Sequence, residues 1–352
     1  MILALETSCD DTCAAVVTGD GRVRANVISS QGIHDRYGGV VPEVAARHHL
    51  ELIDAVVAEA LERADAGLDD VSLVAATQGP GLIGALLVGL AAGKALAAGR
   101  GLPFAAVDHL RGHVAVAFLE PEPLEPPFVS LIASGGHTLL LRVEDRTGDP
   151  EVLARTLDDA AGEAFDKGAR MLGLGYPGGA ALQALAVGGD PQAFAFPSGR
   201  GAEFSFAGLK TALLYKLREL RLANFPGDAG RVAARGHARR ADLCEAPDPV
   251  DGLRADLAAS YQEAIVRAIV TRVERALERT GLDRLAVGGG VAANGPLRER
   301  LAGLGARLSL PALELCTDNA AMIASAARYA PALAYPDYLG LEAYATGEGP
   351  LR

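Results

Sequence analysis

ILALETSCDDTCAAVVT, residues 2–18, is an apolar run, a polar turn and a second apolar run. Ile2 to Leu5 reads as a buried strand, and Cys13 to Thr18 as another. A plain hairpin would join them through Asn-Gly. Glu6-Thr-Ser-Cys-Asp-Asp-Thr12 instead offers hydroxyls and carboxylates, as a loose polar turn or as a loop that faces phosphates or a metal. Gly19-Asp-Gly21 then turns the chain into a third strand, Val23 to Ser29. The pattern recurs later. Phe128 to Ala133 predicts a strand, Ser134-Gly-Gly-His-Thr138 a small polar turn, and Leu139 to Val143 a strand. The same unit at the head of each half predicts a duplicated α/β fold.

Two such turns facing each other across a cleft are the plan of actin-like and sugar-kinase-like ATPases. The elements between them fit that plan. Val44 to Ala64 has helical periodicity, with apolar residues at 52, 53, 56, 57, 60 and 61. Val71 to Thr77 predicts a strand and Leu82 to Ala98 a helix. Gly79-Pro-Gly81 therefore opens a helix after a strand, where backbone amides can meet an anion. GxxxxGK[ST] is not present. Phe104 to Val107 predicts the strand that leads to His109. Residues 121–127, PEPLEPP, read as a linker. The expected division is a first lobe over 1–120, a second over 128–330, and a tail over 331–352 that packs back on the first. In the second half, Gly252 to Glu278 predicts a long helix and Leu285 to Val287 a strand, and Asp318 is placed to cap the final helix. Residues 221–240 hold five arginines and one aspartate. They read as an insertion, either solvated or in contact with nucleic-acid phosphates.

At 352 residues the chain exceeds one ordinary core. Its net charge of −11 argues against bulk nucleic-acid binding. Four cysteines without a CxxC make no disulfide framework. The N-terminus lacks the basic and long apolar regions of a signal peptide. Residues 71–93 carry no charge, but Gln78-Gly-Pro-Gly81 interrupts them, so strand, turn and buried helix are expected rather than a membrane span. A soluble, cytoplasmic protein is the expectation.

Asp108-His109-Leu110-Arg111-Gly112-His113 puts two histidines four residues apart, one turn above the other on a helix. They can share one cation, or simply edge the core. In the zinc-protease pattern a general-base Glu follows the first His. Leu110 stands there, so a metallopeptidase fails at its own catalytic residue.

The stretches ETSCDDT (6–12), VVPEVAARHH (40–49), GPGLIGALLVGL (79–90), DHLRGH (108–113), SGGHT (134–138), DDAAGEAFDKGAR (158–170), YPGG (176–179), FSFAGLKTA (204–212), GGVAAN (289–294) and CTDNAAMIA (316–324) run in one order over almost the whole chain. Through them the chain resembles the TsaD family of bacterial tRNA threonylcarbamoyl transferases. The resemblance implies an α/β, two-lobed actin-like ATPase fold with a central active-site cleft. It implies transfer of threonylcarbamoyl from threonylcarbamoyl-AMP to N6 of the adenosine 3′ of the anticodon in tRNAs that read ANN codons. His109, His113 and Asp318 would ligate one metal, Fe(II) commonly and zinc alternatively. Ser134, Gly135, Gly136, His137, Thr138, Asp166, Gly179 and Asn294 would line the adenylate site. Gln183 would do so in place of the family's usual Asp. Partners would be tRNA, a related actin-like subunit (TsaB) and a small ATPase (TsaE).

The implied chemistry is coherent. A mixed anhydride already carries a good leaving group, so the enzyme needs to polarise a carbonyl and align two substrates. Asp10 or Asp11 could position the amine or take its proton; many relatives have Glu at position 11. The alternative is another actin-like enzyme, a kinase or carbamoyl transferase. A kinase would need a catalytic Asp in the second half, and none stands out.

Overall fold

The computed structural model describes residues 1–37, 39–175, 177–197, 199, 201–220 and 249–351. The arginine-rich stretch 221–240 lies outside the described residues, as does Tyr176.

Two five-stranded mixed sheets carry the fold, and their topologies match. In the first, β1 (Ile2–Glu6), β2 (Asp11–Val17) and β3 (Val23–Ser30) form an antiparallel meander. β4 (Leu73–Gly79) runs parallel to β1, and β5 (Phe104–Asp108) parallel to β4. In the second, β6 (Phe128–Ala133), β7 (Thr138–Val143) and β8 (Glu151–Arg155) repeat the meander. β9 (Arg284–Gly288) pairs parallel with β6, and β10 (Arg307–Ser309) with β9. The orders 3-2-1-4-5 and 8-7-6-9-10 are one pattern used twice, as the repeated turn predicts.

β1 is apolar on both faces because both faces are covered. Leu3 and Leu5 pack with α1 (Pro42–Arg63) and α2 (Ile83–Arg100). Ile2 and Ala4 pack with the last long helix. Seven helices of eight or more residues precede that one among the described residues: α1, α2, α4 (Ala161–Met171), α5 (Gly178–Ala186), α6 (Ala207–Glu219), α7 (Pro249–Thr280) and α8 (Gly295–Ala302). The last is α9 (Ala320–Ala327). Chain order alone would assign α9 to the second lobe, yet its alanines and Ile323 are buried against the first sheet. α4, α6 and α7 pack on one face of the second sheet.

α3 (His109–Ala115) lies between the lobes. Leu110, Val114 and Ala115 bury against Phe128, Ile132 and Leu141 of the second sheet. On another side of α3, a Cβ on Gly112 would stand 2.8 Å from Ile323 Cδ1 of α9, so the bare glycine leaves room for that side chain. Leu110 is 3% exposed. It is core, which is the physical reason no acid occupies the protease position.

The chain beyond α9 returns to the first lobe. Phe104 and Leu333 exchange backbone hydrogen bonds, both 2.9 Å. The Gln78 amide donates to Glu342 O at 2.8 Å, and Tyr344 N–H donates to Gln78 O at 3.1 Å.

Candidate metal centre and active-site cleft

The two parallel-sheet ends and the two polar turns enclose a cleft of about 720 Å3. Asp10 and Asp11 line it from the first turn; Ser134, Gly135, Gly136 and His137 line it from the second. Asp166 of α4, His109 and Asp318 complete the wall.

The first turn is rigidly held. His49 of α1 is fully buried; its Nε2 lies 3.0 Å from Cys9 O and its Nδ1 2.8 Å from the Thr12 hydroxyl. With Nε2 protonated, His49 donates to Cys9 and accepts from Thr12. Burial lowers this imidazole below its usual range, which keeps it neutral. Gln31 N–H donates to Asp10 O at 3.2 Å. The second turn is tied to the start of α4. Gly162 N–H donates to Ser134 O at 3.0 Å, and Ala161 N–H to the Thr138 hydroxyl at 2.8 Å.

His109, His113 and Asp318 present ligand atoms that all lie within 4.8 Å of one another. The Nε2 atoms of His109 and His113 stand 3.5 and 3.4 Å from Asp318 Oδ1. His113 is 2% exposed, and among the described residues neither of its ring nitrogens has a hydrogen-bond partner. Buried polar atoms are normally satisfied, so an orphaned imidazole aimed at a second imidazole and a carboxylate has the form of a ligand set. Two histidines and one carboxylate suit iron(II) or zinc and leave coordination positions free. The residues therefore fit one divalent cation.

Charge supports that fit. Asp10, Asp11, Asp166 and Asp318 face one cleft, and Glu6 lies behind it. Burial pushes the Asp11 carboxyl up to about 7, and Asp318, Asp10 and Glu6 push the same way against one hydrogen bond from Ser30. Burial would raise Asp318 too, but His109 and His113 hold it well below the usual carboxylate range. Burial lowers His109, yet Asp318 and Glu6 raise it well above an ordinary imidazole. A cleft this rich in carboxylates favours a bound cation. His137 is pushed down to about 4 by burial and by His109 and His113, so it is neutral at pH 7.

Not every expected residue lines the cleft. His113 sits behind His109, and Thr138 caps α4 from within the core. Gly179, Gln183 and Asn294 are absent from the lining. Gln183 Oε1 accepts from Asn294 Nδ2 at 2.8 Å and from Gly295 N–H at 3.0 Å. Asn294 Oδ1 in turn caps α8 by accepting from Leu297 N–H at 3.0 Å. Gly178 N–H donates to Asp166 Oδ1 at 2.8 Å, which ties α5 to the cleft wall. One expectation is corrected. Asn319, not Asp318, caps α9, by accepting from Met322 N–H at 3.0 Å. That leaves the Asp318 carboxylate free to face the histidines. Sequence reasoning also missed a contact: Glu6 Oε2 lies 2.9 Å from His109 Nδ1. The available signal was a charged residue closing a strand that is otherwise wholly apolar.

Two matched lobes about one cleft define the two-lobed, actin-like ATPase fold. The chain matches HypF of T. kodakarensis with a TM-score of 0.57 at 15% identity, over 93% of this chain and 47% of that one. It matches component A of the Acidaminococcus fermentans (R)-2-hydroxyglutaryl-CoA dehydratase with a TM-score of 0.51 at 16% identity, over 93% and 95% of the two chains. These likenesses concern fold alone. The sequence is more particular: residues 22–325 match the TsaD family, tRNA N6-adenosine threonylcarbamoyltransferase. Proteins of that name from Anaeromyxobacter sp. (strain Fw109-5) and Pelobacter propionicus are similar. The first is 49% identical over 339 residues, 94% of each chain. The second is 47% identical over 333 residues, 92% of this chain and 90% of that one. The chain belongs to the TsaD family.

Proposed function

We propose that this chain moves the threonylcarbamoyl group of threonylcarbamoyl-AMP onto N6 of the adenosine 3′ of the anticodon in tRNAs reading ANN codons, yielding N6-threonylcarbamoyladenosine. The observation that carries the reading is the His109–His113–Asp318 cluster, whose His109 and Asp318 line the same cleft as the Ser134–His137 turn. Those three residues would hold Fe(II), with zinc as the alternative. When bound, the cation supplies positive charge that polarises the acyl donor.

The rest falls to the chain's own residues. The Ser134–His137 turn and Asp166 receive the adenylate, with Asn294 and Gln183 bracing α8 beside them. Thr138 and Gly179 hold the ends of α4 and α5 in register with the turn. As the amine attacks the carbamoyl carbon and AMP departs, the amine must lose a proton. Asp11, raised to about 7, is suited to take it at neutral pH. Asp10 shares that turn and orients it. A tRNA substrate implies a cytoplasmic protein. We further infer that activity depends on an actin-like partner (TsaB) and a small ATPase (TsaE).

The test is metal analysis with a threonylcarbamoyl-transfer assay on wild type and His113→Ala. Metal and transfer should both be lost in the variant. Full transfer by a metal-free H113A protein would refute the reading.

A further inference from the structure

We propose that Glu6 is a positioning residue for His109: its buried carboxylate fixes the imidazole with Nδ1 protonated, so that Nε2 faces Asp318 and His113. The inference rests on the metal reading above and deepens it.

The sheet register places the parts. β1, β4 and β5 are adjacent and parallel, and Leu5 pairs with Ala76 while Thr77 pairs with Val107. Glu6, Thr77 and His109 therefore follow one another at the same ends of three neighbouring strands. Glu6 is fully buried. Its Oε1 accepts from Ser8 N–H. Its Oε2 accepts from the Thr77 hydroxyl at 2.6 Å and lies 2.9 Å from His109 Nδ1. The Ser8 hydroxyl stands 3.2 Å from the same nitrogen.

A carboxylate has no proton to offer, so His109 Nδ1 must donate. Once a cation displaces the proton on Nε2, the lone pair there is the one that faces Asp318 Oδ1, 3.5 Å away. Among the described residues, His113 has no such partner on Nδ1. Of the two histidines, only His109 is oriented from behind. A ligand histidine held by an outer carboxylate is more basic and fixed in tautomer, and loss of such a partner usually costs 10–100-fold in metal affinity. A strand-end Glu kept merely to satisfy Ser8 and Thr77 would not need a negative charge.

The experiment measures Zn(II) affinity of the full chain by chelator competition for wild type, Glu6→Gln, Glu6→Asp and H113A. E6Q keeps the size but offers one acceptor oxygen and one donor amide where Glu6 has two acceptors, so Ser8 N–H and the Thr77–His109 pair can no longer both be satisfied. Its affinity should fall about 10–100-fold. E6D, which keeps the charge, should recover part of that loss. Equal affinity of E6Q and wild type overturns the proposal. Equal affinity of H113A and wild type overturns the metal reading itself. Should E6Q not fold, 15N NMR of Zn(II)-loaded wild type decides: a protonated Nδ1 on His109 supports the assignment, and a protonated Nε2 overturns it.

Discussion

The Tyr344 hydroxyl donates to Asp108 Oδ2 at 2.5 Å, across 236 positions of sequence. The other oxygen of that carboxylate accepts from Arg111 N–H at 3.0 Å and so caps α3. The chain's last segment thus braces the helix that carries both histidines. Tyr344→Phe removes one hydrogen bond to a charged acceptor and should cost about 1.5–3 kcal/mol in urea unfolding. Because the cap itself survives, metal affinity should fall less than in Asp108→Ala. Unchanged unfolding in Y344F would show that the tail does not brace α3.

Bound metal should stabilise the protein. A ligand at 100 times its Kd adds about 2.7 kcal/mol to a fold that alone binds it. Zn(II) added to chelator-treated wild type should raise Tm, while Asp318→Asn and H113A should show little shift. Differential scanning fluorimetry reads this directly. An equal rise in all three proteins would place the metal elsewhere.

Asp11 should show in two pH profiles. Its folded carboxyl is raised to about 7, above the unfolded value, so the native state holds the proton more tightly. In metal-free protein, stability should fall as pH rises from about 4 toward 7, and Asp11→Asn should flatten that slope. For transfer the sign reverses, since the carboxylate is the active form. The rate should rise through a limb at or below about 7, because a bound cation favours the charged form. D11N should lose the limb and about 10²–10⁴-fold in rate. A D11N enzyme with wild-type turnover would exclude Asp11.

Two glycines make a matched pair. A Cβ on Gly162 would stand 2.6 Å from Ser134 O and 2.8 Å from Gly135 N, whereas one on Gly208 of α6 would meet nothing within 4 Å. Gly162→Ala should push the Ser134–His137 turn aside and cost about 1–3 kcal/mol, and on the proposed function it should weaken AMP binding. Gly208→Ala should be neutral or stabilising by about 0.5–1 kcal/mol. Calorimetric titration with AMP separates them; equal affinities would mean the turn yields freely.

Much of this was legible before any coordinates. The strands at Ile2 and Phe128, with their polar turns, announce the duplication because alternation and turn chemistry are local signals. The pairing of His109 with His113 is equally local, a matter of helical pitch. The placement of α9 was not legible: an alanine-rich helix fits either sheet, and only the approach of Ile323 to Gly112 puts it beside α3. Asp318 and Asn319 are both good caps, and nothing in their order says which one turns inward.

By itself, then, the sequence determined the elements, the doubled turn and the histidine spacing, each set by neighbours within a few residues. The fold decided which distant groups meet. Parallel pairing of β1, β4 and β5 lines up Glu6, Thr77 and His109. Packing of α9 on the first sheet carries Asp318 from the far end of the chain to the two imidazoles. Such meetings depend on strand order and helix docking, which short-range periodicity does not encode.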